Sequence, residues 1–139
     1  MKSIETLIKV SKQELDVKRK ELKEIEEQKQ KLLKWQKDMN DELRREEQFA
    51  AQNPHMSMTF DSYRQKVNQM QLNMHVALQE TDNQIESISL QISALFSEVK
   101  KYEIVHQQKL TQLLKEQRKK ETKALDEIAL NNYLKEQSD

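Results

Sequence analysis

The chain has 139 residues, 35% of them charged and 5% aromatic, and its 24 basic and 24 acidic side chains cancel to a formal net charge of zero. Too few apolar residues exist to cover a globular core. The Lys, Glu, Gln and Leu mix instead fits long helices with a narrow apolar seam, and charge balance excludes whole-chain electrostatic binding of nucleic acid. The absence of cysteine excludes disulfides and thiolate chemistry and fits a reducing compartment.

The start, Met1-Lys2-Ser3-Ile4-Glu5, lacks the apolar core of a secretory signal. No apolar run approaches the ~20 residues that span a bilayer. A soluble, cytoplasmic protein is expected. The first helix follows from apolar residues at alternating spacings of four and three: Ile4, Ile8, Leu15, Leu22, Ile25, Leu32, Met39, Leu43 and Ala50. Ser11, Lys18, Lys29, Gln36 and Glu46 fill the other seam positions, where lysine stems can lie on the seam with their ammonium groups in water. The pairs Glu5/Lys9, Glu14/Lys18, Asp16/Lys20 and Glu27/Lys31 stand at i,i+4 with the acid first, the order that supports a helix.

Pro54 is the single proline, and there is no glycine. Proline breaks helix interiors and glycine supplies tight turns, so Gln52-Asn53-Pro54-His55 is the one evident place to bend. Beyond it, Thr59 or Ser57 suits an N-cap, with Asp61 in the first turn. A second seam runs Phe60, Tyr63, Val67, Met70, Met74, Ala77, slips by one residue near Thr81, and resumes as Ile85, Ile88, Ile92, Leu95, Val99, Tyr102, His106, Leu110, Leu113.

The expected fold is therefore all-α: two long antiparallel helices in a coiled-coil hairpin, the second longer. It forms one domain over 1–139, with a helix over about 2–51, a bend at 52–58 and a helix over about 59–135. Folding about Pro54 brings Leu43 near Tyr63, Met39 near Val67 and Met70, Leu32 near Met74, Leu15 near Ile92 and Ile8 near Val99. At ~1.5 Å per residue the first arm is about 75 Å long, and the chain past about Val105 has no partner within the molecule. An amphipathic overhang of this kind is best explained by a partner that covers it, or else by fraying.

Signals for enzyme chemistry are missing. Without glycine there is no phosphate-cradling loop or dinucleotide fingerprint. His55, His75 and His106 have no metal-ligand spacing, and the acidic group Asp38, Asp41, Glu42, Glu46, Glu47 reads as a solvated face. No catalytic residue, cofactor or metal is expected. Two features stand out. Near the bend lie Leu32, Leu33, Trp35 and Met39 on one arm and Phe60, Tyr63, Met70 and Met74 on the other; exposed aromatics anchor interfaces, and methionines adapt to partners. On the overhang, the basic stretch Lys115–Lys123 precedes the acidic and apolar Ala124–Ala129.

The segment Arg118-Lys119-Lys120-Glu121-Thr122-Lys123-Ala124-Leu125-Asp126-Glu127-Ile128-Ala129 resembles the C-terminal K-x-E-x-K-x-L-D-E-x-A pattern of the FliJ family. That family supplies a component of the flagellar type III protein export apparatus. Lys31–Met39 resembles its L-x-x-Y-x-x-x-Y stretch, with Trp35 and Met39 at the aromatic positions, and Phe60-Asp61-Ser62-Tyr63 resembles the aromatic start of its second helix. The resemblance implies a non-enzymatic stalk. Such a stalk enters a hexameric export ATPase and stimulates it, contacts the membrane export gate and escorts substrate chaperones, as a monomer when free and peripheral to the inner membrane through its partners. It implies an ATPase end at Arg118, Lys119, Lys120, Lys123, Leu125, Asp126 and Glu127, and a gate end at Leu32, Trp35, Met39 and Tyr63, to which the cluster adds Met70. Flagellar and injection-type systems use similar stalks. Two alternatives are a prefoldin-like holding chaperone and a plain structural coiled coil that dimerises along the overhang.

Overall fold

A computed structural model describes residues 3–138, and the expected start of the first helix at Lys2 lies outside them. The chain is all-α. Helix α1 spans Ile4–Gln52 (49 residues), a 3-10 turn spans Pro54–Met56, and α2 spans Ser57–Gln137 (81 residues), so the second helix is the longer. Two compact units can be distinguished: Gln13–Leu95, and the described parts of 1–12 together with 96–139.

In the unit Gln13–Leu95 the chain reverses without a left-handed residue, and no described residue has positive φ. Asn53 leaves the helix at φ −129° and ψ 81°. Its backbone N–H still donates to Phe49 O (3.0 Å) and Ala50 O (3.2 Å), and its side-chain amide donates to Phe49 O (3.0 Å). Asn53 thus satisfies carbonyls that a glycine-capped end would satisfy through a left-handed residue. Pro54 then opens the 3-10 turn, where its fixed φ fits and its missing N–H costs nothing. Met56 N donates to Asn53 O at 2.9 Å, and α2 starts at Ser57. The reversal is tighter than the expected 52–58 because the turn runs straight into α2, leaving no separate cap at Thr59.

The two arms of this unit run antiparallel. Lys29 Nζ pairs with Asp82 Oδ1 at 2.6 Å, and Gln71 donates its amide to Asn40. On α1 the heptad reading holds: Leu15 is buried, and Lys18, Leu22, Ile25, Lys29, Leu32, Gln36, Met39 and Leu43 are half-buried, with Ala50 buried next to the turn. Glu46 departs from it and is exposed. On α2 the seam runs Phe60, Tyr63, Val67, Gln71, Met74, Leu78, Thr81, Ile85, Ile88, Ile92, Leu95. The extra residue expected near Thr81 therefore sits earlier. Phe60 to Gln71 is an eleven-residue step inside a seven-residue pattern, which locally unwinds the seam. Thr81 is itself buried, its hydroxyl donating to Ala77 O at 2.8 Å, whereas Met70 moves to the flank and is 54% exposed.

In the other unit, Ser3 opens α1: its hydroxyl accepts from Thr6 N at 3.2 Å and its carbonyl from Leu7 N at 3.1 Å, a side-chain N-cap followed by the first helical bond. The first turns of α1 pack on α2 between Val99 and His106. Ser11 and Val99 are buried, Ile4, Leu7 and Ile8 half-buried. Lys12 Nζ meets Glu103 Oε1 at 3.2 Å, and His106 Nε2 lies 3.9 Å from Glu5 Oε1. Beyond His106 every described residue of α2 is exposed.

Ion pairs on the α1 surface differ from the expected set. Asp16 pairs with Arg19 at 3.9 Å and Lys18 with Glu21 at 3.1 Å, both at i,i+3. Exposed pairs of this kind contribute little to stability.

Candidate functional site

Two surfaces carry the expected site residues, one in each unit. The first lies on the hairpin unit. Leu32, Trp35 and Met39 recur on one side of α1 at helical spacing, and Met70, Asn73, Met74 and Ala77 do so on α2. Together they line an open groove of about 290 Å³. A second groove is lined by Gln28, Lys31, Leu32 and Trp35. Trp35 thus borders both hollows as an exposed ridge, 66% accessible. Leu32 and Met74, expected to face each other, share the groove, as do Met39 and Met70. The slip that displaces Met70 from the seam is what brings it to this rim.

Tyr63 is not part of that groove. It lines a separate hollow at the turn with Glu46, Phe49, Ala50, Met56, Thr59 and Phe60. Burial raises its phenol above the ordinary value of 10.0; the charges of Glu42 and Glu46 and a hydrogen bond to Glu42 add to the shift, and Arg45 opposes it. The phenol thus stands near acidic side chains of the facing arm at the turn. The expected gate-side set thus separates into four residues that converge, Leu32, Trp35, Met39 and Met70, and one that belongs to the turn.

The second surface is α2 beyond His106. Arg118, Lys119, Lys120, Lys123, Leu125, Asp126 and Glu127 are all exposed there. Consecutive residues of a helix point about 100° apart, so this set covers more than half of the circumference and leaves the sector that carries Leu110, Leu113, Leu114 and Ile128. Leu110, Leu113, Leu114, Leu125, Ile128, Leu130, Tyr133 and Leu134 are also exposed. Next to α1, Glu103 is held below its ordinary value of 4.5, chiefly by the hydrogen bond from Lys12 and further by Lys100, with desolvation opposing. This acid anchors the last stretch of α2 that α1 covers.

His55 lies in the turn, His75 stands 3.3 Å from Gln79, and His106 faces Glu5; the three lie far apart in sequence on different stretches of helix. Among the described residues no group of three or more His, Asp or Glu side chains is placed to hold a metal, and no helix is long and apolar enough to cross a membrane. Sequence reasoning missed the polar seam members Gln71 and Thr81. Their one signal was spacing, since both fall on the four-three pattern that continues from Ile85 toward the turn. Comparison with protein-family models, curated proteins and solved structures finds no match to this chain.

Proposed function

We propose that the protein is a non-enzymatic stalk of a flagellar or related type III protein export apparatus, of the kind the FliJ family provides. The free end of α2 enters the central opening of a hexameric export ATPase and stimulates its turnover. The Trp35 groove takes the membrane export gate protein, and the stalk escorts substrate chaperones between them from the cytoplasmic side of the inner membrane.

The observation that carries this reading is the uncovered part of α2 beyond His106. It is a single helix exposed all round, with the charged set over more than half of its circumference and Leu110, Leu113, Leu114 and Ile128 on the rest. A partner that binds one face leaves the remainder of such a helix idle, whereas a ring surrounds it. Helices alone in water are marginal, so a surrounding partner also accounts for a long helix that buries nothing of its own. The converging Leu32, Trp35, Met39 and Met70 supply the anchor-in-groove chemistry of an interface hot spot for the second contact.

The test is turnover of a hexameric export ATPase from the same organism. Added full-length protein stimulates it. Replacing Leu125, Asp126 and Glu127 together by alanine abolishes the stimulation while the circular dichroism of the chain is retained, because all three are exposed. Unchanged stimulation by the triple variant refutes the assignment of that end. The chaperone reading loses ground because prefoldin-like assemblies need strands near the bend, and among the described residues the bend is one 3-10 turn between helices.

A further inference from the structure

We propose that the outward face of α2 between Leu72 and Ala94 pairs antiparallel with the same face of a second copy of this chain. The face lies within the unit Gln13–Leu95. Helix α1 covers the side of α2 that carries Met74, Thr81, Ile85 and Ile92. At about 100° per residue, Leu72, Val76, Asn83, Leu90 and Ala94 stand on the opposite side. All five are exposed, Leu72 by 62%, Val76 by 52% and Leu90 by 66%. The outward side of an amphipathic helix is ordinarily its charged side. Here Glu80, Asp82 and Glu86 are the sole charged residues from Val67 to Leu95, in a chain that is 35% charged, and none of them is in this row. Loss of charge around exposed apolar side chains marks the centre of an interface.

A second copy is the occupant because the row is its own complement. From Leu72 to Asn83 it advances by four, three and four residues through Val76 and Gln79, and from Asn83 to Ala94 by four, three and four again through Ser87 and Leu90. Eleven residues in three turns keep such a row nearly parallel to the helix axis, so a straight partner follows it. In an antiparallel pair centred on Asn83, Leu72 faces Ala94, Val76 faces Leu90 and Gln79 faces Ser87, each twice by two-fold symmetry. Asn83 meets Asn83 on the axis, an amide pair that fixes the register. At every other level a larger side chain meets a smaller one, which keeps the two helices evenly spaced. A parallel pair instead sets leucine on leucine at two levels and alanine on alanine at another, and no single spacing suits them all.

The strip is about 33 Å long and about 10 Å wide. A patch of that size falls below the ~1,200 Å² of a standard interface, so the pair is weak and reversible. Glu80 and Glu86 lie on opposite flanks of the row, and each stands six positions from its own counterpart in the other copy. That is about 9 Å along the axis, close to one screening length at physiological ionic strength, so added salt strengthens the pairing. No member of the row lines the Trp35 groove. The pairing does not rest on the export reading, which uses that groove and α2 beyond His106.

The chain has no cysteine, so thiols introduced into the full-length protein react alone. Val76→Cys and Leu90→Cys are prepared separately and treated with a short bismaleimide, singly and mixed, at high salt to screen the flanking acids. Facing residues lie within its reach, whereas like residues in the two copies lie fourteen positions apart along the helix, about 21 Å, and do not. The expected result is a crosslinked dimer, twice the 16.7 kDa chain mass, in the mixture and none in either variant alone. A crosslink within Val76→Cys alone marks a parallel pair and overturns the proposal. A mixture that stays uncrosslinked overturns it too, and leaves the row to a helix of another protein. Both sites are exposed in the single chain, so neither substitution disturbs its fold.

Discussion

Leu15→Ala measures what one level of the hairpin seam contributes. Leu15 is 5% exposed, and the substitution removes three carbon groups from that site. At about 0.8 kcal/mol per buried methylene the transfer loss is ~2.4 kcal/mol. Two helices packed side by side leave their seam open to water along both flanks. Little empty volume stays behind, and the total belongs near the low end of the usual Leu→Ala range, about 2–3 kcal/mol. Val17→Ala is the control: Val17 is 61% exposed on the same helix, and alanine is the better helix former, so this change is neutral or slightly stabilising. Urea titrations followed by circular dichroism at 222 nm give both values. If Leu15→Ala costs no more than Val17→Ala, the two arms do not pack through this seam and the reasoning fails.

The Lys12–Glu103 ion pair responds to pH. Glu103 is held below its ordinary 4.5, so it ionises more readily folded than unfolded, and its contribution is present at neutral pH and lost as pH falls through its lowered value. Lys12→Met lowers the melting temperature at pH 7, and the difference from wild type disappears in acid; a difference that persists in acid contradicts the role given to the ion pair. Asn53→Ala removes the side-chain bond to Phe49 O and costs about 1 kcal/mol, comparable to loss of a helix cap, measured by the same urea titration. Trp35, the single tryptophan, emits as a water-exposed indole in the free protein and is quenched by iodide. Binding of the gate-side partner shifts the emission to the blue and protects it; emission already blue-shifted in the free chain contradicts the exposed ridge.

Much of this fold could be read from spacing alone, and the failures share one cause. On α1 the polar seam members Ser11, Lys18, Lys29 and Gln36 sit between apolar neighbours in an unbroken heptad, so position outweighed residue type. On α2 the seam changes step between Phe60 and Gln71, and there residue type misled. Met70 is apolar and next to the true position, while Gln71 and Thr81 look like surface residues. Each is tolerated because its polar group is satisfied, Gln71 by Asn40 across the seam and Thr81 by Ala77 O on its own helix. Glu46 failed in the opposite sense: it occupies a heptad position, but the turn hollow beside Tyr63 leaves its carboxylate in water. The candidate surfaces were partly legible for the same reasons. Leu32, Trp35 and Met39 follow from helical spacing on one arm. Met70 was grouped with them from the sequence and does line the groove; that Tyr63 lies apart at the turn is visible only in the packed hairpin.

A photocrosslinker placed at position 125 or at position 35, with the full chain mixed with excess export ATPase, tests the central claim most directly. The account predicts crosslinks to the ATPase from position 125 and none from position 35. Crosslinks from position 35 alone, or from neither position while the two proteins co-purify, contradict the assignment of the uncovered end of α2 as the part that enters the ring.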